Sequence, residues 1–176
     1  MDYVIQAASK NISRTYFHHG TVGNCQYCFW GRYSMGAPYY GATAATAFLA
    51  KAAYLTTLDD GRSEYGAYAT YDGDGAPLRI LLYNSNYYGG SGSRSVQPFA
   101  LTGLNGALSS VRAKRLTAAS AESRQDRGGT ISFGGQFFNN STCAAGGSET
   151  YETVAVSGGQ ASFSLQASEA LVVYLQ

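Results

Sequence analysis

The chain has 176 residues and a formal net charge of +1 at pH 7, with 13% charged residues where about 25% is usual. That profile argues against a disordered chain, a coiled coil or a charge-laced helical bundle, and it gives no electrostatic basis for partnership with nucleic acid or an acidic membrane. Glycine (22) and tyrosine (15) are abundant and proline (3) is scarce, which suits many short strands joined by glycine turns; no apolar run approaches the ~18 residues of a transmembrane helix.

Val4, Ile5 and Ala8 recur at helical spacing behind Asp2, which predicts a short helix with Asp2 as its N-cap. Residues 14–19, Arg-Thr-Tyr-Phe-His-His, are rich in β-formers, end at Gly20 and read as a strand. A loop carrying Cys25, Tyr27, Cys28, Phe29, Trp30, Arg32 and Tyr33 leads to Pro38, which opens an alanine-rich helix over 38–53. Proline in a first turn removes an N–H that has no helical partner anyway. Nothing after Tyr54 reads as helix. Strands are expected at 54–58, 64–71, 78–84, 96–101, 110–117, 130–138, 151–156, 161–165 and 170–175, separated by glycine-rich turns. The fold class is therefore mostly β, an antiparallel β-sandwich over 54–176, preceded by an α/β fragment over 1–53. A lone strand between two helices cannot cover its own faces, so 1–53 reads as the tail of an α/β domain whose front is missing.

Catalytic schemes find little support in the residues. There is no Asp or Glu between residues 3 and 58, and the later acids fall mostly in turns. Glu169 precedes an apolar final strand, where structural pairing is the simpler role. His18 and His19 are adjacent on an expected strand, so only one of them faces any given site. No G-x-S-x-G elbow is present, and Gly89-Gly-Ser-Gly92 lacks the following helix or Lys-Ser/Thr of a phosphate cradle. Cys25-x-x-Cys28 lacks the second ligand pair of a zinc site, so a loop disulfide and free thiols both stay open, with Cys143 as the third cysteine. No cofactor is expected.

The order of elements resembles glycoside hydrolase family 79, the β-glucuronidase and heparanase group, in its fungal branch. Arg14-Thr-Tyr-Phe-His-His-Gly20, the aromatic loop through Tyr27 and Trp30, and Pro38-Tyr-Tyr-Gly41 resemble the last strand and helix of that family's (β/α)8 barrel. Glu64–Asp72, Leu78–Asn86, Lys114–Ala121, Gly134-Gly-Gln136 and Ala167–Leu175 resemble, in order, its C-terminal β-sandwich. The resemblance implies a retaining exo-glycosidase that acts on glucuronic-acid-containing glycans through two glutamates on barrel strands, held ~5–5.5 Å apart. Those strands lie outside this chain, so its partner would be the missing N-terminal barrel of the same enzyme, and the chain alone would be inactive. The last-strand end, His19 and Gly20, would line the active-site mouth, since barrel sites sit at the C-terminal ends of strands. Tyr27 aligns with a family tyrosine that hydrogen-bonds the sugar carboxylate; a loop tyrosine packed against the sandwich is the other reading. Trp30 and Tyr33 are either sugar-stacking platforms or interdomain packing.

The parent protein is expected to be secreted. The first ten residues lack the basic region and continuous apolar core of a signal peptide, but sequons mark Asn11, Asn139 and Asn140 as glycosylation candidates. The alternative to an enzyme fragment is a non-catalytic carbohydrate-binding or structural β-sandwich module.

Overall fold

The computed structural model describes residues 1–18, 29–30 and 35–175. In chain order these form helices α1 (Asp2–Ser9) and α2 (Ala37–Leu49), then strands β1 (Tyr54–Thr57), β2 (Tyr65–Tyr71), β3 (Pro77–Asn84), β4 (Val96–Leu101), β5 (Ser110–Ala118), β6 (Ile131–Phe133), β7 (Phe137–Phe138), β8 (Ala145–Gly146), β9 (Glu152–Ala155), β10 (Ala161–Gln166) and β11 (Glu169–Tyr174). The main sheet is antiparallel and runs β1-β2-β3-β11-β5-β6. β5 is long enough to pair with β6 at one end and β9 at the other. β4 and β10 form a second, two-stranded sheet, and β7 and β8 a small hairpin.

Side chains alternate across a strand, so a strand that is apolar at every position needs cover on both faces. β11 meets that condition, with Glu169 through Val173 all buried. Leu171 and Val173 join Ile80 and Leu82 of β3 against Phe163 and Leu165 of β10, forming the core of the sandwich. Ala170 and Val172 point the other way and join Leu81 and Tyr68 against Ile5 of α1 and Ala44, Ala45 and Phe48 of α2. The result is three layers: a two-stranded sheet, the main sheet, and a pair of helices.

α2 buries Tyr40, Ala44, Ala45 and Phe48, an i, i+4, i+5, i+8 stripe on one helical face. The small alanines let its axis approach the sheet. The helix ends at Leu49 rather than Ala53: Ala50 leaves the helical region with a ψ of 125°, and Lys51 then takes a left-handed φ of 59°. Ala53 then donates its N–H to Tyr71 O at 2.8 Å and opens β1. In α1 the N-cap is Met1, and Asp2 is the first helical residue rather than the cap. Its carboxylate is drawn to the sheet, where Oδ1 accepts from Tyr83 at 2.7 Å and Tyr68 at 3.4 Å, while Oδ2 accepts from Gln6 at 2.9 Å.

The strand expected at 14–19 does not form over its described part: residues 12–18 have neither helix nor ladder, and Tyr16 is 84% exposed. β-formers make a strand only where a neighbour supplies hydrogen bonds, and no described strand runs beside them. The strand expected at 130–138 is two strands, β6 and β7. Gly134 and Gly135 take φ of 55° and 77° and turn the chain between Phe133 and Gln136, which bond each other in both directions. Two successive positive-φ residues define the tight hairpin turn that glycine favours. One 3₁₀ turn, Gln125–Arg127, is the helical exception after Tyr54.

Candidate functional site

An apolar cavity of about 1080 Å³ lies between α2, the described N-terminal stretch and one end of β5. Val4, Phe17, Phe29, Ala45, Leu49 and Leu116 supply much of its wall, and His18, Thr46, Ser85 and Ser120 add polar groups. Tyr40 also lines it and is 1% exposed. The Tyr40 hydroxyl accepts from Phe138 N–H at 2.8 Å and faces Gln125 Oε1 at 3.4 Å. Burial pushes its pKa above the ordinary tyrosine value, against the opposing pull of that N–H. Tyr40 thus joins α2 to the β7 hairpin.

Beside the cavity runs a line of aromatic rings. Tyr3 meets Phe17 at 5.7 Å, Phe17 meets Phe29 at 5.5 Å, and Phe29 meets Trp30 at 6.3 Å between centroids, within the range of favourable ring pairs. Trp30 bridges to Met35 and stays 50% exposed. Of the site residues read from the sequence, Trp30 is therefore placed in this aromatic line. Tyr27, His19 and Gly20 lie outside the described residues, as do Cys25, Cys28, Arg32 and Tyr33. His18, the described member of the histidine pair, lines the cavity. Phe17 and Phe29 were not singled out by sequence reasoning. Their signal was the aromatic density on either side of the Gly20 loop.

The carboxylates are held in structural roles. Glu169, 7% exposed, accepts from Arg115 Nη1 at 2.7 Å, Thr117 Oγ1 at 2.7 Å and Gln166 N–H at 2.9 Å. Arg115 also grips Glu152 through Nε at 2.6 Å and Nη2 at 2.8 Å, a two-pronged fork. Glu149 pairs with Lys114 at 2.6 Å, and that ammonium holds its pKa below the ordinary carboxylate value. Arg124 does the same for Asp126. Asp59, Asp60 and Asp72 accept backbone N–H groups of their own turns. Among the described residues, no group of three or more His, Cys, Asp or Glu side chains is placed to hold a metal ion, and no helix is long and apolar enough to cross a membrane.

Of the sequon asparagines, Asn11 and Asn139 are exposed and Asn140 is half-buried. Asn139 Oδ1 accepts from Ser141 N–H and Oγ–H and from Thr142 N–H, whereas Asn140 Oδ1 is buried without a partner. Cys143 is an exposed free thiol.

What these elements define is an antiparallel β domain with a helix pair on its outer face and an apolar cavity beside α2. The family described as glycosyl hydrolase family 79 C-terminal beta domain matches residues 67–172. A solved structure, the 4-O-α-L-rhamnosyl-β-D-glucuronidase from Fusarium oxysporum 12S in complex with Rha-GlcA, is 56% identical with a TM-score of 0.90. It covers 98% of this chain, while the chain spans 37% of its length. CelM2, a bifunctional glucanase-xylanase from a metagenome library, covers 62% of this chain and 15% of its own at 16% identity, with a TM-score of 0.37. A GH30 endoxylanase from Clostridium papyrosolvens C71 covers 68% of this chain and 22% of its own, also at 16% identity, with a TM-score of 0.36. At those scores no correspondence of fold follows. No curated protein matches. The chain belongs to glycosyl hydrolase family 79, whose C-terminal beta domain it carries.

Proposed function

We propose that the chain is the C-terminal portion of a secreted β-glucuronidase that acts on glucuronic-acid-containing glycans. In this reading residues 1–53 end a (β/α)8 barrel, 54–176 form the sandwich that braces it, and the preceding barrel is the partner of the cavity and the aromatic line. The complete enzyme hydrolyses with retention of configuration. Two glutamates outside this chain, ~5–5.5 Å apart, serve as acid/base and nucleophile. The observation that carries the reading is the 56% identity to the Fusarium glucuronidase over 98% of the chain.

The sandwich carboxylates fit this division of labour. Glu152 and Glu169 share one guanidinium, so their oxygens are committed to holding β9, β5 and β11 together. Tyr27 donates its phenol O–H to the sugar carboxylate, His19 and Gly20 border the mouth, and Trp30 offers an exposed ring to the sugar. Asn11 and Asn139 carry glycans in the secreted protein, and the buried oxygen of Asn140 makes it the poorer acceptor.

The test is hydrolysis of an aryl β-glucuronide. The 176-residue chain alone releases no aglycone, and a longer protein that includes a barrel with two strand-end glutamates does so with retention, read by NMR of the first-formed anomer. Turnover by the short chain, or an inverted product, defeats the reading. In the active protein, Tyr27→Phe raises KM by about tenfold, the scale of one hydrogen bond to a charged group, and leaves kcat nearly unchanged.

A further inference from the structure

Arg79 of β3 and Arg112 of β5 are both register partners of Tyr174 in β11, and Thr153 of β9 is the register partner of Arg112. Directly opposed residues in an antiparallel sheet share a face. These four therefore form a row across the helix-side face, with Tyr174 two residues from Val172 of the helix-side core. The row lies just past the end of α2, where Arg79 Nη1 donates to Ala50 O at 2.6 Å.

Aromatic rings order the cations. The Arg112 guanidinium carbon is 3.8 Å from the centre of the Tyr151 ring, and that of Arg79 is 5.5 Å from Tyr174. The two tyrosine rings meet edge-on at 5.8 Å. Lys114, on the same face, lies 5.6 Å from Tyr151 and is paired with Glu149. Three cations thus meet one carboxylate, in a chain whose net charge is only +1. Arg112 is exposed and, among the described residues, its guanidinium makes no hydrogen bond. Stacking fixes the plane of that exposed guanidinium, and a planar N–H fork is the geometry that binds a carboxylate through two parallel bonds.

We propose that Arg112, Tyr151 and Thr153 form a surface subsite for the carboxylate-bearing sugar of an acidic glycan. Arg112 clamps the carboxylate, the neighbouring cations supply the field, and the exposed Thr153 hydroxyl bonds a ring hydroxyl. The ligand class rests on the glucuronidase reading above. The arrangement of charge and rings does not depend on it.

The experiment is a two-dimensional NMR titration of the full chain with a β-1,4-linked glucuronic acid trisaccharide and, separately, with cellotriose, its uncharged counterpart. The acidic sugar shifts the Arg112 Nε–H and the Tyr151 and Thr153 amides, and cellotriose does not. Arg112→Gln weakens binding about tenfold, the scale of one charge-assisted bond. Arg112→Lys, which keeps the charge and loses the fork, weakens it less. Raising salt from about 0.05 to about 0.5 M weakens the wild type and has little effect on Arg112→Gln. Absence of shifts, equal shifts with cellotriose, unchanged affinity in Arg112→Gln, or equal binding of an acidic peptide such as polyglutamate each overturns the proposal. Hydrolysis of an aryl glucuronide by the longer wild-type protein is read separately. Activity without these shifts defeats the subsite alone, and shifts without activity defeat the enzyme reading alone.

Discussion

The two faces of the main sheet are built differently. On one, Leu171, Val173, Ile80 and Leu82 close against the β4–β10 sheet in a continuous apolar core, sealed at its border by the Arg115–Glu169–Glu152 network. On the other, two helices cover only part of the sheet. They are tied down by a few polar contacts, notably Asp2 to Tyr83 and Tyr40 to the Phe138 N–H, and they leave a cavity and a line of half-exposed rings. The sandwich face closes the core of the domain, and the helix face leaves apolar and aromatic surface uncovered. A closed core tolerates little change, whereas a partly covered face leaves room for binding groups.

The comparison is broken most sharply at its centre. Leu171→Ala on the sandwich face costs about 3–5 kcal/mol by denaturant unfolding, the range for a fully buried leucine whose site cannot collapse. Phe48→Ala, equally buried but on the partly covered helix face, costs about 3 kcal/mol, at the low end of the range for that truncation, and lowers amide-exchange protection of α2 more than that of β10. Equal protection loss on both faces shows that they unfold as one unit. Glu169→Ala leaves Arg115 half-paired at the sheet border and costs about 2 kcal/mol, within the range for a lost charged hydrogen bond with an unsatisfied remnant. Glu152→Ala, whose carboxylate is more exposed, costs less.

A finer probe is pH. Burial raises the pKa of Tyr83, Tyr68 and Tyr40 above the ordinary tyrosine value, with the Asp2 carboxylate adding to the effect at Tyr83 and Tyr68. The folded state holds these protons more tightly than the unfolded chain. Their contribution is therefore complete below pH about 10 and is lost as pH rises further, through the folded-state values. Stability is flat in this respect through neutral pH and falls in alkali, and Tyr83→Phe makes the fall shallower. A Tyr83→Phe profile parallel to the wild type would remove Tyr83 from the effect. Cys143→Ser, at an exposed turn, changes stability by less than about 0.5 kcal/mol.

Much of the sandwich was legible because alternation and glycine turns are local signals. The stretches 96–101 and 161–165 align closely with β4 and β10. The miss at 130–138 came from reading Gly134-Gly135 as part of a strand, when two glycines between Phe133 and Gln136 also spell a hairpin turn. The two-residue β8 is too short to leave a periodic signal. The described stretch 14–18 shows the limit of β propensity, since a strand depends on a neighbour that composition cannot supply. The absence of a carboxylate pair before residue 58 was visible at once. The engagement of the later acids was not, because Arg115, Glu152 and Glu169 come from separate strands and meet only when β5, β9 and β11 pair.

β11 follows in the chain every other strand of the main sheet, yet it lies in the middle, with β3 on one side and β5 on the other. During synthesis the β1-β2-β3 meander and the β5-β6-β9 group therefore emerge as two separate pieces with unpaired inner edges. Both edges stay open until this segment leaves the ribosome and zips them together. A nascent chain stalled before residue 169 would present two sticky strand borders, the kind that chaperones shield and that aggregate when left uncovered.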